Sequence, residues 1–298
     1  VKEYGWISDP DFDDMECLSA VSDIGADGAG GTVLLFSYLE KVLGKPYEPR
    51  DQGSTPSCVG QATACAIDHL VAIEQVGVGL DVEFVAPASA EALYAGSRYE
   101  IGYERYKNKR LLRSAGSHGS YCVEFARDYG ILLHQDYGSV DLTHFDERRC
   151  VSWGRTGVPD ELEPTALQKT LKDYTVCNSY EEIRGAIANG YPVIIGSSYG
   201  FKGQPKRDEH GMLKPKGTWR HEMVFTAYDE GTTHPSAVFC QNSWGDRWVG
   251  GPKRFENEPE GGFWIAPKVV DSMAKRGEAI ALSGSRGFER RKLSYSLI

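Results

Sequence analysis

The sequence predicts an α+β fold, because helical periodicities come first along the chain and strand-like segments come second. Beyond Pro192 the texture changes to Val-Ile-Ile-Gly-Ser-Ser-Tyr (193–199), Met-Val-Phe-Thr-Ala-Tyr (223–228), Ala-Val-Phe-Cys-Gln-Asn-Ser-Trp (237–244) and Gly-Phe-Trp-Ile-Ala (262–266), separated by turn-rich stretches. Size and composition agree: 298 residues, 41% hydrophobic and 25% charged, suit one large domain or two that share a core.

The first 50 residues carry ten acidic and four basic side chains, and Gly-Ala-Asp-Gly-Ala-Gly-Gly (25–31) has the composition of a flexible linker. Val33, Leu34, Phe36, Leu39, Val42 and Leu43 then fall near helical spacing, which Gly44 and Pro46 stop. From 54 to 76, Thr55 as cap and Pro56 as first residue start a helix whose Val59, Ala62, Ala66, Leu70 and Ile73 share one face. A helix over 120–129 closes at Gly130, and another opens with the capping pattern Ser179-x-x-Glu182 and ends at Gly190. The last 31 residues, from Lys268, carry seven basic and three acidic side chains and read as a basic tail.

Several function classes are excluded at this level. A net charge of −9 argues against a general phosphate-binding surface, so no nucleic-acid partner is expected. No apolar run approaches the roughly 18 residues of a membrane span, and the N-terminus has no basic-then-apolar leader. Seven scattered Cys without a CxxC pair argue against a zinc ribbon or a disulfide framework and favour a reducing setting, cytoplasmic or carried within an assembled particle. The His residues show no ligand spacing, so no metal is expected.

Three segments carry chemistry. In Arg50-Asp-Gln-Gly-Ser-Thr-Pro-Ser-Cys58 a Cys stands at a helix start, where unpaired N–H groups and the macrodipole favour a thiolate. Gln52, six residues earlier, could donate to an oxyanion together with the Cys58 backbone N–H. His221 heads one strand and Asn242 ends the next, 21 residues later, so pairing of those strands would let the Asn amide oxygen hold the imidazole.

On these residues the chain resembles papain-like cysteine peptidases: Gln52, Cys58, His221 and Asn242 occur in that family's order, and Ser243, Trp244 and Gly245 follow the Asn as they do there. Gly119 before a helix ending in Asp-Tyr-Gly-Ile, the stretch from Ile187 to Ile195, and Gly261-Gly-Phe-Trp-Ile extend the likeness over roughly 47–267. The resemblance implies a two-lobed fold with a helical left lobe, an antiparallel barrel-like right lobe and N- and C-terminal extensions. It divides the chain into an acidic arm and short helix (1–46), a helical lobe with the nucleophile (47–160), a strand-rich lobe with His and Asn (161–267) and the basic tail (268–298). It implies cofactor-free hydrolysis of peptide or protein substrates by Cys58, His221 and Asn242, with Gln52 in the oxyanion hole and Trp244 shielding the Asn–His bond.

Departures from the family pattern carry expectations of their own. Val59, where many members have an aromatic, points to bacterial and phage relatives, and Thr55 replaces the common disulfide partner. His221 lies 163 residues after Cys58, beyond roughly 130–150, so loops are enlarged. His118 replaces the first residue of a substrate-binding Gly-Gly pair beside Gly119, while Trp219 and Arg220 add bulk and positive charge next to His221. Arg220 thereby predicts a preference for acidic groups near the scissile bond. Two alternative functions remain: a docking component of a larger assembly, such as a phage particle, with a narrowed or silent site, and a thiol acyltransferase or cell-wall peptide amidase. The charged ends could serve as contact arms between subunits, or the N-terminal one could cover the cleft as an inhibitory segment.

Overall fold

Ala, Gly, Thr and Cys dominate the helix that begins at Cys58, and nearly every one of its side chains is buried, so neighbouring elements approach its backbone closely. The computed structural model describes residues 5–203 and 205–294. Its helices are α1 (Leu18–Val21), α2 (Phe36–Leu43), α3 (Cys58–Ala72), α4 (Ala90–Gly96), α5 (Gly119–Asp128), α6 (Glu147–Thr156), α7 (Glu163–Ala166), α8 (Tyr180–Ala188) and α9 (Pro267–Arg276). Its strands are β1 (Thr32–Leu34), β2 (Asp173–Val176), β3 (Val193–Tyr199), β4 (Thr218–Asp229), β5 (Ala237–Gln241), β6 (Gly262–Ile265) and β7 (Glu278–Ser283).

The strands form one antiparallel sheet in the order β2-β7-β3-β4-β5-β6, with β1 also paired to β4. The order does not return on itself, so the right lobe is an open curved sheet where a barrel-like one was expected. One core lies among α3, α4 and α5, built around Leu70, Leu93 and Phe125. A second lies where α8 and α9 cover the sheet, built around Ile183, Val193, Phe225 and Met273. The N-terminus of α3 and β4 meet where the two lobes join.

Three expectations change. Helix α3 starts two residues later than Thr55 suggested, because the Thr55 hydroxyl donates to the Gln52 carbonyl (2.7 Å) and is used in the preceding turn. The stretch 25–31 is packed instead of acting as a linker: Ile24 is fully buried, and the positive φ of Gly28 (82°) brings its backbone against Tyr228. The basic tail is not peripheral throughout. Glu-Ala-Ile-Ala-Leu-Ser forms β7, wholly buried between β2 and β3, a short apolar run that the charge tally over 268–298 obscures.

Beyond β7, Arg291 pairs with Glu74 (3.1 Å) in a nearly buried bridge and Arg290 pairs with Asp27 (2.8 Å). The opposite charges of the two ends therefore meet within one chain.

Candidate active site

Cys58 is the first residue of α3 and is fully buried. Backbone N–H groups of Val59 and Glu222 are directed at its sulfur, which places the thiol against the residue that follows His221 on β4. Burial, reinforced by the Glu222 charge, nevertheless pushes the Cys58 thiol well above the ordinary range. The helix start alone suggested a shift in the other direction, and in this closed arrangement desolvation wins.

Gln52 reaches the site through a buried network. Arg50 binds Asp68 of α3 (2.6 Å) and the Ala88 carbonyl (2.9 Å), and Tyr47 donates to the same carboxylate, fixing the segment before Gln52 onto the helical lobe. On the other side, the Gln52 N–H donates to the Ser243 carbonyl (2.9 Å), and the Ser243 hydroxyl donates to Gln52 Oε1 (2.7 Å). The Gly245 N–H closes the same short ladder by donating to the Arg50 carbonyl (3.0 Å). Gln52 is thus tied to the residue adjoining Asn242.

Register brings His221 and Asn242 together. Val224 of β4 lies opposite Gln241 of β5, so Asn242, one residue beyond, falls opposite Met223, two residues from His221 on the same strand face and within diagonal reach of it. His221 Nε2 donates to Asn242 Oδ1 at 2.6 Å, and both residues are buried. The Trp244 ring stacks on the imidazole with centroids 4.6 Å apart and planes at 29°, screening that bond from water. Trp219, itself buried, meets His221 edge-on at 5.1 Å and Trp244 at 5.2 Å, so it packs against both rings. Strand alternation sends Arg220 the other way, into solvent.

The chain's own N-terminal segment fills the groove between the lobes. The Ser117 N–H donates to the Gly5 carbonyl and the Ile7 N–H to the Ser117 carbonyl, both at 2.8 Å. His118 Nδ1 donates to the Ile7 carbonyl (2.9 Å), and Trp6 N–H approaches the Arg220 carbonyl (3.4 Å). Gly5 passes so close to Pro56 that a Cβ there would collide with the Pro56 carbonyl, two residues from Cys58. The Trp6 side chain, only 6% exposed, joins an apolar cluster with Cys58, Val59, Tyr94, Cys122 and Cys150. Glu278 of β7 accepts from Trp6 Nε1 (3.0 Å), the Ser8 hydroxyl (2.8 Å) and the Asp9 N–H (2.5 Å), while Asp9 accepts from Ser120.

His118 is accordingly a contact of this segment, with burial holding its imidazole below the usual range. Gly119, at the start of α5, gives room to Glu222, whose carboxylate a Cβ at that position would strike. Sequence reasoning missed Ser117, Glu222 and Glu278. Only the acidic residue directly after His221 offered a signal. Among the described residues no group of three or more His, Cys, Asp or Glu is placed to hold a metal ion, and no helix is long and apolar enough to cross a membrane.

Solved structures share this architecture. Xylellain, a cysteine protease from Xylella fastidiosa, superposes with a TM-score of 0.66 at 17% identity, covering 96% of this chain and 97% of its own. The fold is papain-like. Procathepsin L2 from Tenebrio molitor larval midgut (TM-score 0.52, 16% identity, 94% of this chain and 78% of its own) is similar too. So is the ragweed pollen cysteine protease Amb a 11 in its proform (0.52, 15%, 88% and 69%). No family model matches the sequence, and no curated protein does.

Proposed function

We propose that the chain is a thiol-dependent peptidase that cleaves peptide bonds at Cys58. The observation that carries this reading is the buried 2.6 Å bond from His221 to Asn242 beneath Trp244, on the strand whose next residue, Glu222, meets Cys58 at the start of α3. Asn242 holds Nε2–H, which orients Nδ1 to take the thiol proton. The thiolate attacks the substrate carbonyl, and the Cys58 N–H and a Gln52 amide hydrogen stabilise the oxyanion; one hydrogen of that amide is already given to the Thr55 carbonyl (2.7 Å). His221 then protonates the departing amine, and water, deprotonated by the same imidazole, hydrolyses the thioester.

Residues 5–9 occupy the groove a substrate would need, so the described state is a covered one. Displacing the segment lets water reach Cys58 and weakens the desolvation that holds its thiol up, allowing the helix dipole and an imidazolium to favour the thiolate. Full-length protein should hydrolyse unstructured peptides, and Cys58→Ala should abolish turnover while its melting curve stays intact. Turnover retained by that variant overturns the reading.

A further inference from the structure

A cationic turn borders the helical lobe outside the groove. Residues 106–116, Tyr-Lys-Asn-Lys-Arg-Leu-Leu-Arg-Ser-Ala-Gly, hold four basic and no acidic side chains in a chain of net charge −9. Lys107, Lys109, Arg110 and Arg113 are all exposed, and among the described residues none of them makes an ion pair. Arg105, just before the turn, is by contrast held by Glu124 and Asp128. The turn is also fixed in shape. Arg98, 3% exposed, donates from one guanidinium to the Leu111, Ser114 and Gly116 carbonyls, the Ser114 bond at 2.9 Å. Leu111 plugs the turn onto the lobe so closely that a Cβ at Gly102 would strike its side chain. Lys107 has a φ of 55°, the one positive value at a non-glycine residue among the described ones. Lysine thus stands in a left-handed position that glycine or asparagine would take with less strain. A merely solvated charge run needs neither a buried clamp nor a strained backbone.

Position says what the turn can meet. It leads directly into Ser117, whose N–H and carbonyl hold the seated segment at Gly5 and Ile7. Past Ile7 that segment runs along the start of α5, where Asp9 accepts from Ser120. Burial, then the charges of Asp9 and Asp11, push the Tyr121 phenol up, so both carboxylates lie near that ring, and the Tyr106 ring stacks on it at 5.0 Å. A polypeptide lying along Ser117 therefore comes beside Tyr106 and the cations within about four residues. The chain's own acids leave these cations free: among the described residues Asp11, Asp13 and Asp14 pair with none of them. A nucleic acid, charged at every phosphate, would meet the field of an acidic protein all round this turn, whereas a peptide needs only a local block of carboxylates and can use the Ser117 backbone. We propose that Lys107, Lys109, Arg110 and Arg113 form an exosite for an acidic stretch of the polypeptide substrate, about four to eight residues from the one seated against Ser117. This deepens the peptidase reading and rests on it, but docking can be measured without turnover.

Docking is read on full-length protein carrying Trp6→Ala and Cys58→Ala, so that the groove opens and the thiol is gone; should this chain not fold, Cys58→Ala alone serves, since the turn itself is uncovered. Fluorescence anisotropy compares two labelled peptides that share one apolar core and differ in a block of Glu or of Gln about six residues from it. The proposal expects the Glu peptide to bind about tenfold more tightly at about 0.05 M salt, and about 0.5 M salt to remove the difference. Lys109→Glu with Arg110→Glu should erase the preference while the melting curve stays unchanged; if that pair does not fold, Lys109→Gln with Arg110→Gln replaces it and should at least halve the preference. Equal binding of the two peptides, a preference that survives these changes, or equally tight binding of a single-stranded oligonucleotide of the same length overturns the proposal. Separately, in full-length Trp6→Ala the Glu block should lower KM about tenfold at unchanged kcat, because it acts away from the reacting atoms. Cleavage of both peptides at equal KM contradicts the exosite alone, whereas no cleavage of either contradicts the peptidase reading and leaves the binding comparison to judge the turn.

Discussion

Trp6 is the part of the covering segment with most to lose. Its side chain is almost wholly buried and its indole N–H is bonded to Glu278 at 3.0 Å. Replacing a buried Trp with Ala costs about 3–5 kcal/mol in a protein core. Because the Trp6 contacts tie residues 5–9 to Glu278 and to the apolar cluster around Cys58, that cost falls on seating of this segment more than on the lobes. About 3 kcal/mol changes the seated-to-open ratio roughly 150-fold. Apparent affinity for a competing peptide scales with the open fraction, so kcat/KM for Trp6→Ala should rise by about 10–100-fold, levelling off once most molecules are open. Initial rates on a fluorogenic peptide measure this, and hydrogen exchange at the Ile7 amide, which now donates to Ser117, reports whether the segment has left. Faster exchange at Ile7 with an unchanged or lower rate would refute the idea that the segment limits access.

Other perturbations test separate parts of the structure. His221→Ala removes the proton-transfer group and should cost several kcal/mol of barrier, whereas Asn242→Ala removes only its orienter and should cost about 1–3 kcal/mol in kcat; rate measurements on both variants check the ranking, and a reversed order would show the base is misassigned. Asp68→Asn should destabilise the chain by about 3–5 kcal/mol, read from denaturant unfolding, because it leaves Arg50 buried without its anion. Burial pushes the Glu100 carboxyl up from 4.5 to about 7, and its Oε2 has no partner. A carboxyl raised on folding leaves stability intact below its unfolded pKa and removes it as pH rises through the folded one, so Glu100→Gln should match the parent near pH 4 and exceed it by roughly 3 kcal/mol at pH 8. Urea titrations at the two pH values decide; a constant difference would place the destabilisation elsewhere.

What could be read from the sequence was local. Cys58, His221 and Asn242 announce themselves because each sits at or near the end of an element whose own pattern is strong. Partnerships that require the third dimension were hidden. Thr55 looks like a helix cap, but its hydroxyl is spent on Gln52, and no spacing rule conveys that. Residues 278–283 form a short strand whose identity as the partner of β3 depends on pairing across some 80 positions. Glu222 and Glu278 lie far apart in the chain and become a pair only because Gly196 stands between them in register. Trp6 and Ile7 interrupt an otherwise acidic stretch, and only the groove beside Ser117 explains why that stretch is ordered against the body.

The central claim is that Cys58 performs the chemistry, and alkylation of full-length Trp6→Ala with a thiol-directed electrophile tests it most directly when adduct positions are mapped by mass spectrometry alongside residual activity. The account predicts that the first adduct forms at Cys58 among the seven free thiols and that activity falls in proportion to it. Activity that persists after Cys58 is fully modified, or loss that follows modification of another Cys, would contradict it.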